Sequence, residues 1–141
     1  MTRRRSSQRG SNLVEFSLVA FLVMLTAFAS IEFDRMILVY TGLSTATRAG
    51  VRYAIVHGSD RTATGDPASG PGDQSAVVAV VKKFAAIGSL DTSTLNVAVS
   101  YPTNNKPGST VKITATYPYV PFVVLPLRVT LTNTTQGIIV F

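Results

Sequence analysis

The sequence predicts an α+β fold: one long N-terminal helix, a short second helix and a small antiparallel sheet of three or four strands. Three observations lead there. An uncharged apolar run of membrane-crossing length lies near the N-terminus, its helical spacing continues well beyond the apolar part, and the last third of the chain switches to strict alternation of apolar and polar residues.

Each element can be justified in order. Residues 1–10, "MTRRRSSQRG", are basic and polar and read as a leader kept on the cytoplasmic side by its positive charge. From 16 to 31, "FSLVAFLVMLTAFASI" carries no charge, and with Leu13 and Val14 the apolar stretch is interrupted only by Glu15. At 1.5 Å per residue, 13–31 makes roughly 28 Å of helix, close to the ~30 Å thickness of bilayer hydrocarbon. Phe33, Met36, Ile37, Tyr40, Leu43, Thr47, Val51 and Ala54 then recur at three- and four-residue steps, so one helix is expected over 11–57 with its membrane part at about 13–31. Gly42 and Gly50 read as its weak points, each costing ~1 kcal/mol relative to Ala.

Residues 58–74, rich in Gly, Pro, Ser and Asp, read as a flexible loop. A head domain over 75–141 follows. It opens with a short helix that places Val77, Val81 and Phe84 on one face, sets Lys82 and Lys83 toward the carbonyl end and stops at Gly88. Leu95, Val97, Val99 and Tyr101 then alternate with polar residues, as do Val111, Ile113, Ala115 and Tyr117, which gives two strands joined by the turn-forming "PTNNKPG". "LRVTLTNT" and "GIIVF" supply a third and a fourth candidate. Pro118, Pro121 and Pro126 argue against a central strand through "PYVPFVVLP", whose apolar side chains suit core packing or a partner-facing patch.

Composition removes several classes of function. The net charge of +6 suggests nucleic acid until it is located: four of the thirteen Lys/Arg are Arg3, Arg4, Arg5 and Arg9, leaving nine against seven Asp/Glu. No basic stretch is interleaved with aromatics, so no nucleic-acid partner is expected. There is no cysteine, hence no disulfide, thiol nucleophile or thiolate metal site. His57 is the single histidine and lacks companions for a metal or a triad. Asp60, Asp66 and Asp73 lack the regular spacing of a calcium loop, and "NTT" at Asn133 is too short a motif to carry a glycosylation site. With no catalytic constellation, no metal and no cofactor expected, the chain reads as a non-enzyme.

Glu15 is the residue that asks for an explanation. A local account makes Asn12 the helix cap, with Glu15 returning a bond three residues later as in a capping box and facing the positive end of the dipole. A second account starts from the cost of a charge at the bilayer, several kcal/mol without a partner. A cut between Gly10 and Ser11 would create an ammonium one helical turn from Glu15, and in an assembly the carboxylate of one subunit could neutralise the amine of the next. Such a pair selects one axial register, because a misplaced subunit leaves both charges unpaired.

The order of basic leader, Gly10, Glu15-Phe16 and long apolar helix resembles the prepilin-peptidase processing site of type IV pilins. More specifically, "GSNLVEFSLVAFLVM", "IEFDR" at 31–35 and "STATRAGVRYAIVHG" at 44–58 are similar to TadE-like minor pilins or pseudopilins of the tight-adherence (Flp, type IVb) pilus, and "TVKITATYPYVPF" resembles that family's C-terminal strand region. The chain departs from the pattern in Asp34, where the family has Gly, and in lacking a Pro early in the apolar run, which favours a straighter helix; neither touches the processing motif. The resemblance implies removal of 1–10 by a prepilin peptidase, with Gly10 before the cut, Ser11 as the new terminus, and Glu15 and Phe16 as assembly residues. It further implies a single-pass protein of the bacterial inner membrane with its C-terminal domain outside the cytoplasm, whose partners are the peptidase, other pilin or pseudopilin subunits, the inner-membrane assembly platform and the lipid bilayer. It would assemble into a pilus or prime one.

Glu32 and Arg35, three apart near the membrane exit, read as a solvated pair or an intersubunit contact, and Arg48 with Arg52, four apart, as solvent-exposed residues or a site for an anionic partner. Two other readings of the whole chain stand beside the pilin. "AFA" at 27–29 resembles a signal-peptidase site, which would release a soluble protein beginning at Ser30. An uncleaved single-pass protein with an external domain is the other.

Overall fold

The computed structural model describes residues 5–61, 68–122 and 128–141, with side chains from Gly10 onward. Arg3, Arg4, Asp66 and Pro126 from the sequence reading fall outside the described residues. The chain divides into two units, Met1–Arg35 and Met36–Phe141.

The first unit is helix throughout its described part. It belongs to α1, which runs Arg5–Val56. The helix thus starts upstream of the expected Ser11. Asn12 is an interior residue and no acidic residue occupies the first turn, so the capping-box account of Glu15 does not hold in the uncut chain. Apolar side chains stand exposed all around this segment, among them Leu13, Phe16, Phe21, Leu25 and Ile31, and none of its most apolar window is buried. The hydroxyls at 13–31 are satisfied by the helix itself: Ser17 donates to the Leu13 carbonyl at 2.7 Å, Thr26 to Val23 at 2.8 Å and Ser30 to Thr26 at 3.0 Å. A helix that meets its own hydrogen-bonding needs in this way suits a medium that offers no partners.

The second unit contains the rest of α1, then α2 (Ser75–Ile87), β1 (Asn96–Ser100), β2 (Thr110–Tyr119) and β3 (Val129–Ile138). The sheet is antiparallel in the order β1-β2-β3. The two final strand candidates are one strand: Gln136 pairs with Lys112 and Gly137 with Val111 without a break, because no turn separates Thr134 from Gly137. Pro118 lies within the central strand, contrary to the sequence reading. Pairing of β2 with β1 ends at Thr116, so Pro118 sits beyond the end of β1 and opposite Thr130 of β3 alone.

Leu43, Ala46, Val51 and Ala54 of α1, Val77, Val81 and Ala85 of α2, and Val111, Ile113 and Ala115 of β2 form the core. On α2 the buried face uses Ala85 where Phe84 was expected; Phe84 is 40% exposed. Lys82 and Lys83 precede the last turn rather than occupying it. Gly42 and Gly50 are contact points rather than weak ones. A Cβ on Gly50 would lie 2.4 Å from Val81 Cγ2, and one on Gly42 2.8 Å from Leu90 Cδ1, so glycine lets α2 and the segment after it approach the α1 backbone.

The described ends of the 58–74 loop are tied down. Ser59 N–H donates to Asn105 O at 2.9 Å, Ser69 N–H to His57 O at 2.7 Å, and Asn105 Nδ2 to Ser69 O at 3.1 Å. The hydroxyls of Ser69 and Tyr101 share a buried hydrogen bond, and burial pushes the Tyr101 phenol up, with Ser69 opposing the shift. A Cβ on Gly58 would stand 2.1 Å from the Phe141 carbonyl, which fixes glycine where helix, loop and C-terminus meet.

Candidate functional site

The residues singled out from the sequence fall into three groups on α1. Gly10 and Ser11 are exposed on the helix. A Cβ on Gly10 would meet nothing within 4 Å, so no packing in the chain demands glycine there. Glu15 is exposed, and Phe16 beside it is 74% exposed. Glu15 has no hydrogen-bond or ion-pair partner among the described residues, and Glu32 is the next acid along the chain. The arrangement is a lone carboxylate on an uncovered apolar helix.

Glu32 and Arg35 are brought together. Arg35 Nη1 lies 3.4 Å from Glu32 Oε2, three residues apart on one helix face. Such a partly exposed pair contributes a few tenths of a kcal/mol to the helix. Arg48 and Arg52 are exposed, on the side of α1 opposite the buried Ala46, Gly50 and Ala54. They have no ion-pair partner among the described residues and are not joined to Glu32 and Arg35.

His57 is a packed residue. It stacks on Tyr53 with ring centroids 3.7 Å apart, and its Nδ1 lies 2.7 Å from the Tyr53 carbonyl. Asp73 accepts hydrogen bonds from the Ser75 hydroxyl and N–H, which hold its carboxyl below the usual range, and Asp91 is held down in the same way by Ser93.

Sequence reasoning missed a polar seam between α1 and β3. Thr47, fully buried, donates its hydroxyl hydrogen at 2.7 Å to Asn133 Oδ1 and lies 3.1 Å from the Thr135 hydroxyl. Asn133 Nδ2 reaches toward the Tyr40 hydroxyl at 3.5 Å. A signal existed: Thr47 occupies an apolar-periodic position, and Asn133 and Thr135 occupy the inward parity of their strand.

Fold and site together define a class: an α+β protein whose long N-terminal helix is apolar enough to cross a membrane. Residues 10–52 match the family model described as TadE-like protein, the family the sequence resembles. That span takes in Gly10, Ser11, Glu15, the Glu32–Arg35 pair, Arg48 and Arg52, while α2 and the sheet lie outside it. The likeness links the chain to components of the tight-adherence pilus and, with the apolar helix, to a membrane. Neither the curated proteins nor the solved structures give a match.

Proposed function

We propose that this chain is a non-enzymatic minor pilin or pseudopilin that a prepilin peptidase cuts between Gly10 and Ser11, and that assembles through α1 into a tight-adherence pilus or primes one. The observation that carries the reading is Glu15: a single carboxylate without a partner among the described residues, on a helix whose apolar side chains are uncovered.

The physical sequence is short. Before cutting, the basic leader holds the N-terminus at the cytoplasmic face of the inner membrane, so the chain crosses once and the head stands outside the cytoplasm. Cutting removes four arginines and leaves the Ser11 ammonium four residues from Glu15. When subunits gather, that ammonium and the Glu15 carboxylate of a neighbour neutralise each other at the lipid boundary. Removing one partner leaves the other unpaired there, a cost of several kcal/mol that enforces axial register. Phe16 and the exposed apolar side chains beyond it supply the packing surface, in contact with lipid before assembly and with neighbouring subunits and the assembly platform afterwards. The reaction needs no cofactor.

Glu15→Ala and Glu15→Gln test this. Both variants should insert in the membrane and fold as the parent does but fail to enter purified filaments, scored by immunogold labelling of the head. Incorporation at the parent level would remove the pairing role.

A further inference from the structure

Strand β3 forms an unguarded sheet edge. It pairs with β2 along Val129–Ile138 in unbroken register, and along its other side no backbone group finds a partner among the described residues. The strand contains no charged residue and no proline. Proteins usually protect such an edge with Lys, Pro, a bulge or a covering segment, since its free N–H and C=O groups template another strand. The opposite edge, β1, is five residues long and equally free of charge. Beside β1 lies a groove of about 410 Å³ lined by Val78, Lys82, Leu95 and Val97, among others.

We propose that β3 of one copy pairs in parallel with β1 of a second copy of this chain, so that the heads join into one continuous sheet. Three observations select this occupant and this polarity. First, β1 and β3 both run antiparallel to β2 and hence parallel to each other. Second, within the head α1 runs alongside β3 in the same sense: Tyr40 and Thr47 lie at Asn133, while the Ile55 carbonyl accepts from Val140 N–H at 2.8 Å. Copies anchored through the same helix in one membrane all enter their heads at Met36. Antiparallel β3-to-β3 pairing would put two such entries at opposite ends of the joint sheet, whereas β3-to-β1 pairing keeps them at one end.

Third, the side chains on the outer sheet face match. Across one sheet they form the rows Asn96–Thr116–Thr132, Ala98–Thr114–Thr134 and Ser100–Lys112–Gln136, with Thr114 and Thr134 hydroxyls 3.0 Å apart. At the junction the small, neutral Thr132, Thr134 and Gln136 of one copy would meet Asn96, Ala98 and Ser100 of the next. Short neutral side chains can hydrogen-bond across such rows, and no like charges face each other. The contact is heterologous, so it propagates in one direction instead of closing as a pair. The polarity rests on the membrane-anchored reading above; the pairing of edges does not.

The cysteine-free chain allows a direct test. Full-length chains carrying Thr132→Cys or Thr134→Cys are co-expressed with differently tagged chains carrying Asn96→Cys, Ala98→Cys or Ser100→Cys, and disulfides are formed by mild oxidation of membranes. At least one mixed pair should cross-link about tenfold more than either single variant alone, and a lysine at the other of the two β3 positions (Thr132→Lys with Thr134→Cys, or Thr134→Lys with Thr132→Cys) should abolish that product while leaving the head's thermal midpoint unchanged. Predominant Thr134→Cys homodimers would overturn the parallel polarity. No mixed product in any combination would overturn the pairing. A chain that proves to begin at Ser30 and still gives the mixed product would support the pairing while discarding the membrane-anchored pilin.

Discussion

Gly50→Ala sets two known effects against each other in one methyl group. In an exposed helix the change would stabilise by ~1 kcal/mol. Here the new Cβ would lie 2.4 Å from Val81 Cγ2 and 3.1 Å from Ile113 Cδ1, against an optimal carbon–carbon separation of about 3.5–4.0 Å. Val81 and Ile113 are both fully buried, and Val81 is β-branched on a helix and cannot turn its methyl aside cheaply. Overpacking of this kind costs about 1–3 kcal/mol, and two fixed neighbours put the case in the upper part of that range. The net expectation is a loss of about 1–2 kcal/mol. For a domain of this size that lowers Tm by roughly 4–12 °C. All five tyrosines, from Tyr40 to Tyr119, lie in the head unit, so near-UV circular dichroism of the full chain in detergent follows the head without interference from the apolar helix. Val81→Ala should relieve the crowding, making the double variant less destabilised than the two single changes combined. A Gly50→Ala protein that melts at a higher temperature, or a strictly additive double variant, would refute the close approach of α2 to α1.

Gly10→Ala should leave the head's Tm unchanged, because a Cβ there meets nothing, while intact-mass measurement shows the leader retained; a parent-like mass would count against the proposed peptidase. Thr47→Val keeps the shape but removes one of the two hydroxyls on Asn133 Oδ1, leaving Thr135 to donate to it at 3.2 Å, and chemical denaturation should show a loss of about 0.5–1.5 kcal/mol. The Ser75 hydrogen bonds depress the Asp73 pKa in the folded state, so their contribution is present above the unfolded carboxylate value and is lost as pH falls through the lower folded one. The Ser75 amide resonance should therefore shift only below about pH 4, and Asp73→Asn, which keeps the acceptor without the titration, should abolish that shift.

Much of the fold was legible because it follows from period alone. The three- and four-residue spacing through Leu43, Thr47, Val51 and Ala54 follows the buried face of α1 to its end at Val56, and alternation through Val111, Ile113 and Ala115 identifies the inward face of β2. What stayed hidden depended on contacts between distant residues. Intrinsic propensity makes Gly42 and Gly50 look weak, and only the positions of Leu90 and Val81 show why they are glycine. Pro118 looked incompatible with a central strand because the length of β1 was not visible, and Asn105 looked like an ordinary turn residue although it holds both Ser59 and Ser69. At the candidate site, Gly10, Ser11, Glu15 and Phe16 were readable as a motif. The partner for Glu15 was not, since in the proposed mechanism it belongs to another molecule and does not exist until the chain is cut.

That dependence makes the N-terminus of the membrane-fraction protein the most direct measurement. Sequencing should return Ser11-Asn12-Leu13, the terminus whose ammonium can pair with Glu15. A protein still carrying Arg3, Arg4 and Arg5, or a soluble one beginning at Ser30, would contradict the account.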